Sequence, residues 1–236
     1  MTGNDRSLMH DLMFKEVFAD HHNRKQLIRL LEIVLDCKLD NVKDELKVTY
    51  ESPLAKEKND QKSVRGDVII EYGDTTINLE CYRNFDQNSV NKSGYYMMRI
   101  HANKLEVGDG YHKLGKTVQV NFVENCSLDL EDVIVSDFHI ACDWKPSVKW
   151  FPEDFCVKVV QIDKARELGY TMDETERWLK FIAARNYEER KTIAKGDELL
   201  VELNEWVNKY VRGDKAEELN KRDIHIATNK GYQDGM

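Results

Sequence analysis

A chain of 236 residues, 41% of them apolar, can bury one large core or a core with a small appendage. It contains no run of about 18 apolar residues, which excludes a membrane-spanning helix, and Met1 to Arg6 lacks the apolar stretch of a secretion signal. The net charge of −8 argues mildly against phosphate binding by global charge, but a local basic patch, or acids gathered around a metal, would be compatible with it.

Residues 8–36 read as helical. Leu12, Phe14, Val17 and Phe18 form a short apolar stripe, Asp20 to Asn23 interrupts it, and Leu27 to Leu35 is dense enough to be buried on most sides. Residues 38–66 are polar; within them Leu46 to Tyr50 suits a short strand, and the charged stretch from Ala55 to Ser63 suits a mobile loop. A β-hairpin follows at 67–80. Asn88 to Val107 reads as a helix ended by Gly108-Asp109-Gly110. Thr117 to Val123 alternates like a strand, as do Val133 to Ala141 and Phe155 to Ile162, with Pro146 and Pro152 in the connection. From about Thr171, apolar residues 179–183 and 199–207 suggest a helical hairpin, and beyond Asn208 the apolar content thins. The hairpin–helix–strand succession looks like a βαβ unit, so a mixed sheet flanked by helices is the leading architecture. No phosphate-binding loop or GxGxxG is present.

The five cysteines, at 37, 81, 126, 142 and 156, include no CxxC pair, which suits a reduced, cytoplasmic protein. A zinc site has no support: no second pair completes His139 and Cys142, and His21 and His22 are adjacent rather than one helical turn apart.

The hairpin carries the most chemistry. Gly73-Asp74 suits a two-residue turn, and closure there pairs residues whose numbers sum to 147, setting Asp67 opposite Glu80. Alternation then places Asp67, Ile69, Glu71, Thr76, Asn78 and Glu80 on one face, and Val68, Ile70, Tyr72, Thr75, Ile77 and Leu79 on the other. Opposed side chains have Cβ atoms roughly 4.5–5.5 Å apart, and two carboxylates that close repel unless a proton or cation lies between them. Two readings follow: an exposed face that happens to be acidic, or a site for a hard divalent ion with oxygen ligands. Glu71, near the turn, reads as a surface residue.

Five segments in order resemble the PD-(D/E)xK nuclease superfamily, and more narrowly its recombination-promoting nuclease and transposase family. Asp11 to Phe18 resembles an Asp-x-x-Phe-Lys-x-x-Phe opening, Gly66-Asp67-Val68 an Asp-Val strand, and Ile77 to Tyr82 an Ile-Glu-x-Gln strand. Lys92 to Tyr96 resembles an Arg-x-x-Tyr-Tyr helix, with Ser93 near the usual Arg, and Leu105 to Leu114 the Gly-x-x-Tyr-x-x-Leu turn after it.

The resemblance implies an α/β, restriction-endonuclease-like mixed sheet flanked by helices: a core over residues 1–165 and a C-terminal helical extension over 166–236. It implies a metal-dependent deoxyribonuclease acting in recombination, mobile-element or defence contexts. Asp67, Glu80 and the Cys81 carbonyl would hold Mg²⁺ or Mn²⁺, and DNA would be the substrate. Asp11 is a further catalytic candidate. The chain departs from the pattern at Tyr82, where the superfamily has Lys and much of the family Gln. Lys92 is then the expected replacement from the next helix, with Tyr82 orienting water. The competing expectation is a catalytically degenerate module that binds DNA or protein. Lys15 and Arg99 are candidate phosphate contacts. If the 199–207 stripe were a partner surface, a homodimer would be the first expectation.

Overall fold

The computed structural model describes residues 7–39, 45–53, 65–151, 155–169 and 173–213, with the backbone alone for Asp11 and residues 51–53. The charged stretch from Ala55 to Ser63 and the chain beyond residue 213 lie outside the described residues.

Helices α1 (Asp11–Ala19) and α2 (Arg24–Leu35) are separated by a 3-10 turn at His21–Asn23. The Asp20 carboxylate accepts from the His22 amide, a local bond that competes with helix continuation. Strands β1 (Lys47–Pro53), β2 (Arg65–Tyr72) and β3 (Thr75–Tyr82) then form a meander in which β2 pairs antiparallel with both β1 and β3. Gly73 supplies the positive φ, 53°, that the β2–β3 turn needs.

Helix α3 (Gln87–Ala102) carries the chain across to β4 (Thr117–Val123), which lies parallel to β3. Asp86 caps the start of α3 by accepting from the Ser89 amide at 2.8 Å. The helix stops at Ala102, before the expected Val107. Asp109 accepts from the Glu106 amide at 2.9 Å, so a local side-chain turn replaces the last helical turn.

Strand β5 (Val135–His139) leads into a two-stranded ribbon, β6 (Ala141–Cys142) and β7 (Lys145–Lys149), and returns as β8 (Phe155–Gln161). Strand β8 inserts between β4 and β5, giving the order β1-β2-β3-β4-β8-β5. The ribbon occupies what the sequence marked as a connection. Pro146 argues against a sheet interior, but a ribbon paired only with itself is all edge, where proline fits.

Helices α4 (Ile162–Glu167), α5 (Glu174–Ala183), α6 (Tyr187–Ile193) and α7 (Glu198–Arg212) complete the chain. Three helices stand after residue 173 where the apolar pattern suggested two. Asn186 and Asp197 each cap a new helix, and Asp197 also accepts from the Trp178 indole at 3.0 Å.

The two faces of the hairpin divide as the alternation requires. Val68, Ile70, Ile77 and Leu79 join α1, α2 and the C-terminal helices in one large core, which includes Trp178, Leu203 and Val207. Residues on both sides of the 165/166 division therefore share it. On the opposite face Ile69 packs against Ile100 and Tyr96 of α3. The acidic face is thus roofed by a helix rather than open to water. Among the described residues no helix is long and apolar enough to cross a membrane.

Candidate active site

Strands β2 and β3 pair from Tyr72 opposite Thr75 to Val68 opposite Leu79, the register that sums to 147. One further step sets Asp67 opposite Glu80, and both are buried, Glu80 completely. Each acid is gripped by the other strand's backbone. The Asp67 amide donates to Glu80 Oε1 at 3.1 Å, and the Cys81 amide donates to Asp67 Oδ2 at 3.2 Å. The pairing fixes both carboxylates at the end of the sheet where β2 begins and β3 ends.

Two lysines reach this pair from opposite layers. Lys15 of α1 places Nζ 3.1 Å from Asp67 Oδ1, and both side chains are largely shielded from water. Lys92 of α3 places Nζ 3.4 Å from Glu80 Oε2 and 4.9 Å from the ring centres of both Tyr82 and Tyr96. An ammonium between two aromatic rings is held by their π-faces as well as by the carboxylate.

Burial raises the Glu80 pKa, and the neighbouring Asp67 charge raises it further, to about 7. Burial works against the charged form of Lys92, but the Glu80 carboxylate outweighs it and the net shift is upward. Burial, then the charges of Glu80 and Asp67, push the Tyr82 phenol strongly up. Tyr82 is therefore a hydrogen-bond donor and not a base near neutral pH. Its ring packs edge-on to Phe85, 5.2 Å between centres, beside Val123 and Val159.

A family model described as a PD-(D/E)XK nuclease family transposase matches residues 8–229. The chain belongs to that family. No curated protein and no solved structure matches it. In this PD-(D/E)XK nuclease family transposase the mixed six-stranded sheet flanked by helices is a restriction-endonuclease-like α/β fold.

PD-(D/E)XK nucleases typically use divalent metals, and the donor set here fits such an ion. Two opposed carboxylates supply oxygen ligands of the kind a hard cation prefers. Two further oxygens of the same face are buried without a partner of regular hydrogen-bond geometry: Asn78 Oδ1 and the Tyr82 hydroxyl, the latter beside Glu80. Such orphaned groups cost free energy unless something satisfies them.

Of the residues singled out from the sequence, Asp67, Glu80, Cys81, Tyr82, Lys92 and Lys15 come together, Lys15 as the buried ion-pair partner of Asp67. Asp11 begins α1, and its side chain lies outside the described residues. Glu71 stays at the surface, paired with Lys47 at 2.8 Å. Arg99 lies about two turns along α3 from Lys92.

The sequence did not single out a string of buried amides running from Glu80 into the sheet. Asn78 Nδ2 donates to Glu80 Oε1 at 3.2 Å and to Gln119 Oε1 at 2.8 Å. Gln119 Nε2 donates to Asn121 Oδ1 at 2.8 Å, and Asn121 bonds Ser93 of α3. The signal was the polar alternation within Thr117 to Val123, where Gln119 and Asn121 fall on the face that α3 covers. Elsewhere, Asp20, His21 and His22 bring ligand atoms within 4.8 Å of one another on an exposed turn. Asp20 there already bonds the His22 amide and ring.

Proposed function

We propose that this protein hydrolyses phosphodiester bonds in DNA at the Asp67–Glu80 pair, with Mg²⁺ or Mn²⁺ as cofactor. The observation that carries the reading is the pair itself: two buried acids, each clamped by the other strand's amide, with a lysine from a third element beside them. Asp67, Glu80 and the Cys81 carbonyl would hold the ion. In a strand the amide and carbonyl of one residue face the same neighbour, and the Cys81 amide already faces Asp67. When bound, the ion would polarise a phosphoryl oxygen and lower the pKa of water.

The remaining work falls to the chain's own side chains. Lys92, beside Glu80 and partly exposed, would supply positive charge to the phosphate, the role left vacant by Tyr82 in the motif. Tyr82, whose hydroxyl lies beside Glu80, would donate it to an oxygen of the substrate or of water. Lys15 acts as the built-in counter-ion of Asp67 while no metal is bound. The family's transposase character supports a setting in DNA recombination, mobile elements or defence. No disulfide joins any of the five cysteines, which supports a cytoplasmic protein.

One observation favours a second reading, a degenerate site that keeps the fold and binds DNA or protein. Tyr82 is packed among Phe85, Val123 and Val159 in the position of the motif lysine. Plasmid nicking separates the two. The protein with Mg²⁺ or Mn²⁺ is expected to nick supercoiled DNA, Glu80→Ala to lose this with its circular dichroism unchanged, and Lys92→Ala to be slowed about 10²–10³-fold, the loss typical of one electrostatic group. A Glu80→Ala protein that cuts as well as the parent would remove the assignment.

A further inference from the structure

The ribbon of β6 and β7 carries a surface that the proposed chemistry does not use. The Trp150 amide donates to the Ile140 carbonyl at 2.9 Å, and Ala141 pairs with Lys149. Alternation from those two rungs puts Phe138, Ile140, Val148 and Trp150 on one face, and Asp137, His139 and Lys149 on the other. Trp144 sits in the turn between Cys142 and Lys145.

The apolar face lies in water. On it Phe138 is 43% exposed, Ile140 49%, Val148 50% and Trp150 77%, and at the tip of the ribbon, beside the face, the turn residue Trp144 is 86% exposed. Among the described residues none covers it. At roughly 150–250 Å² per aromatic side chain, the three aromatics leave about 400 Å² in solvent. Ile140 and Val148 bring the patch to almost 600 Å², the upper end for a monomeric protein.

We propose that this face is where a second copy of the chain docks, ribbon against ribbon across a two-fold axis. A two-fold lets one patch cover itself without a second component. Doubled, the exposed apolar area reaches about 1,200 Å², the threshold of a specific interface before any rim is counted. The charges divide accordingly. Asp137 is neutralised by Lys158 at 2.7 Å, and Lys149 faces away from the apolar side. A nucleic-acid partner would be met by the lysine-bearing face, and it would leave the apolar one unsatisfied. The nuclease assignment is independent of this surface, since the ribbon leaves the sheet at the end opposite Glu80.

The test is the mass in solution of the full chain, by light scattering coupled to gel filtration over a range of concentrations. The wild type is expected at twice the chain mass, and Trp150→Lys and Val148→Glu at the chain mass with unchanged circular dichroism. Lys149→Glu, on the opposite face, should remain a dimer, as should Glu80→Ala. A wild type that stays monomeric at about 100 µM would overturn the proposal. So would a Trp150→Lys, Val148→Glu double variant that remains dimeric. A monomer whose DNA mobility shift disappears on Trp144→Ala would assign the ribbon to nucleic acid instead.

Discussion

Lys15 lies 3.1 Å from Asp67 with little solvent to screen the pair. Removing one partner of a buried ion pair costs about 3–5 kcal/mol, because the other charge is left uncompensated. Lys15→Met should therefore lower the melting temperature measured in chelator. It should also tighten Mn²⁺ binding, by about tenfold for every 1.4 kcal/mol of competition removed, and Mn²⁺ should restore part of the lost stability. Calorimetric titration checks this; weaker Mn²⁺ binding by Lys15→Met would show that Lys15 supports the ion rather than substituting for it. Glu80 gives a pH signature. Its pKa is raised to about 7 from an ordinary carboxylate value, so between about pH 4.5 and 7 the folded state holds more protons than the unfolded. Metal-free stability should fall as pH rises through that window, by a few kcal/mol at most, and level off above it. Glu80→Gln should flatten the profile, and the wild type with Mn²⁺ should lose the decline. The acid pair was legible in the sequence because a Gly-containing turn and strict alternation leave one register. Lys15 read as a candidate phosphate contact, whereas it is paired with Asp67. Its burial follows from how α1 crosses the end of the sheet, which no local pattern encodes.

At the scale of elements, β3, β4 and α3 are joined by the amide string from Glu80 through Asn78, Gln119 and Asn121 to Ser93. Gln119→Leu would strip Asn78 of an acceptor and Asn121 of a donor, both fully buried. Each group keeps one other partner, Glu80 for Asn78 and Ser93 for Asn121, so the expected cost is about 1–3 kcal/mol, that of roughly one unsatisfied group, read by urea unfolding, with weaker Mn²⁺ binding because Glu80 loses its fixed neighbour. A change under about 0.5 kcal/mol would mean that the string does not organise the site. Strands β2, β3 and β4 and the break between α1 and α2 were legible, since apolar periodicity and turn residues agree there. The end of α3 was not, because the Asp109 side chain settles it. The ribbon of β6 and β7 was obscured by Pro146, and the division of the C-terminal helices by two caps, Asn186 and Asp197, inside an apolar pattern that looked continuous.

For the molecule as a whole, the core runs without interruption from Leu8 to Val211 and includes both hairpin strands and α7. Chemical denaturation should accordingly show one transition, coincident by tryptophan fluorescence and circular dichroism. Leu203→Ala, fully buried in α7, should destabilise the entire protein by about 2–5 kcal/mol. Two separated transitions would instead support a C-terminal extension that folds by itself. The order of elements revealed the mixed sheet. The roofing of the acidic face by α3 was hidden because Ile69, Tyr96 and Ile100 meet only once the crossover is made. That roof shields Glu80 from water, so the pair is buried beneath a helix rather than part of an open acidic surface. The decisive measurement is anomalous diffraction from a crystal of the full chain soaked in Mn²⁺. A peak between the Asp67 and Glu80 carboxylates, absent from Glu80→Ala crystals of the same form, is the predicted result. Unchanged Lys15–Asp67 and Lys92–Glu80 pairs with no peak, at Mn²⁺ concentrations that saturate known metal nucleases, would contradict the account.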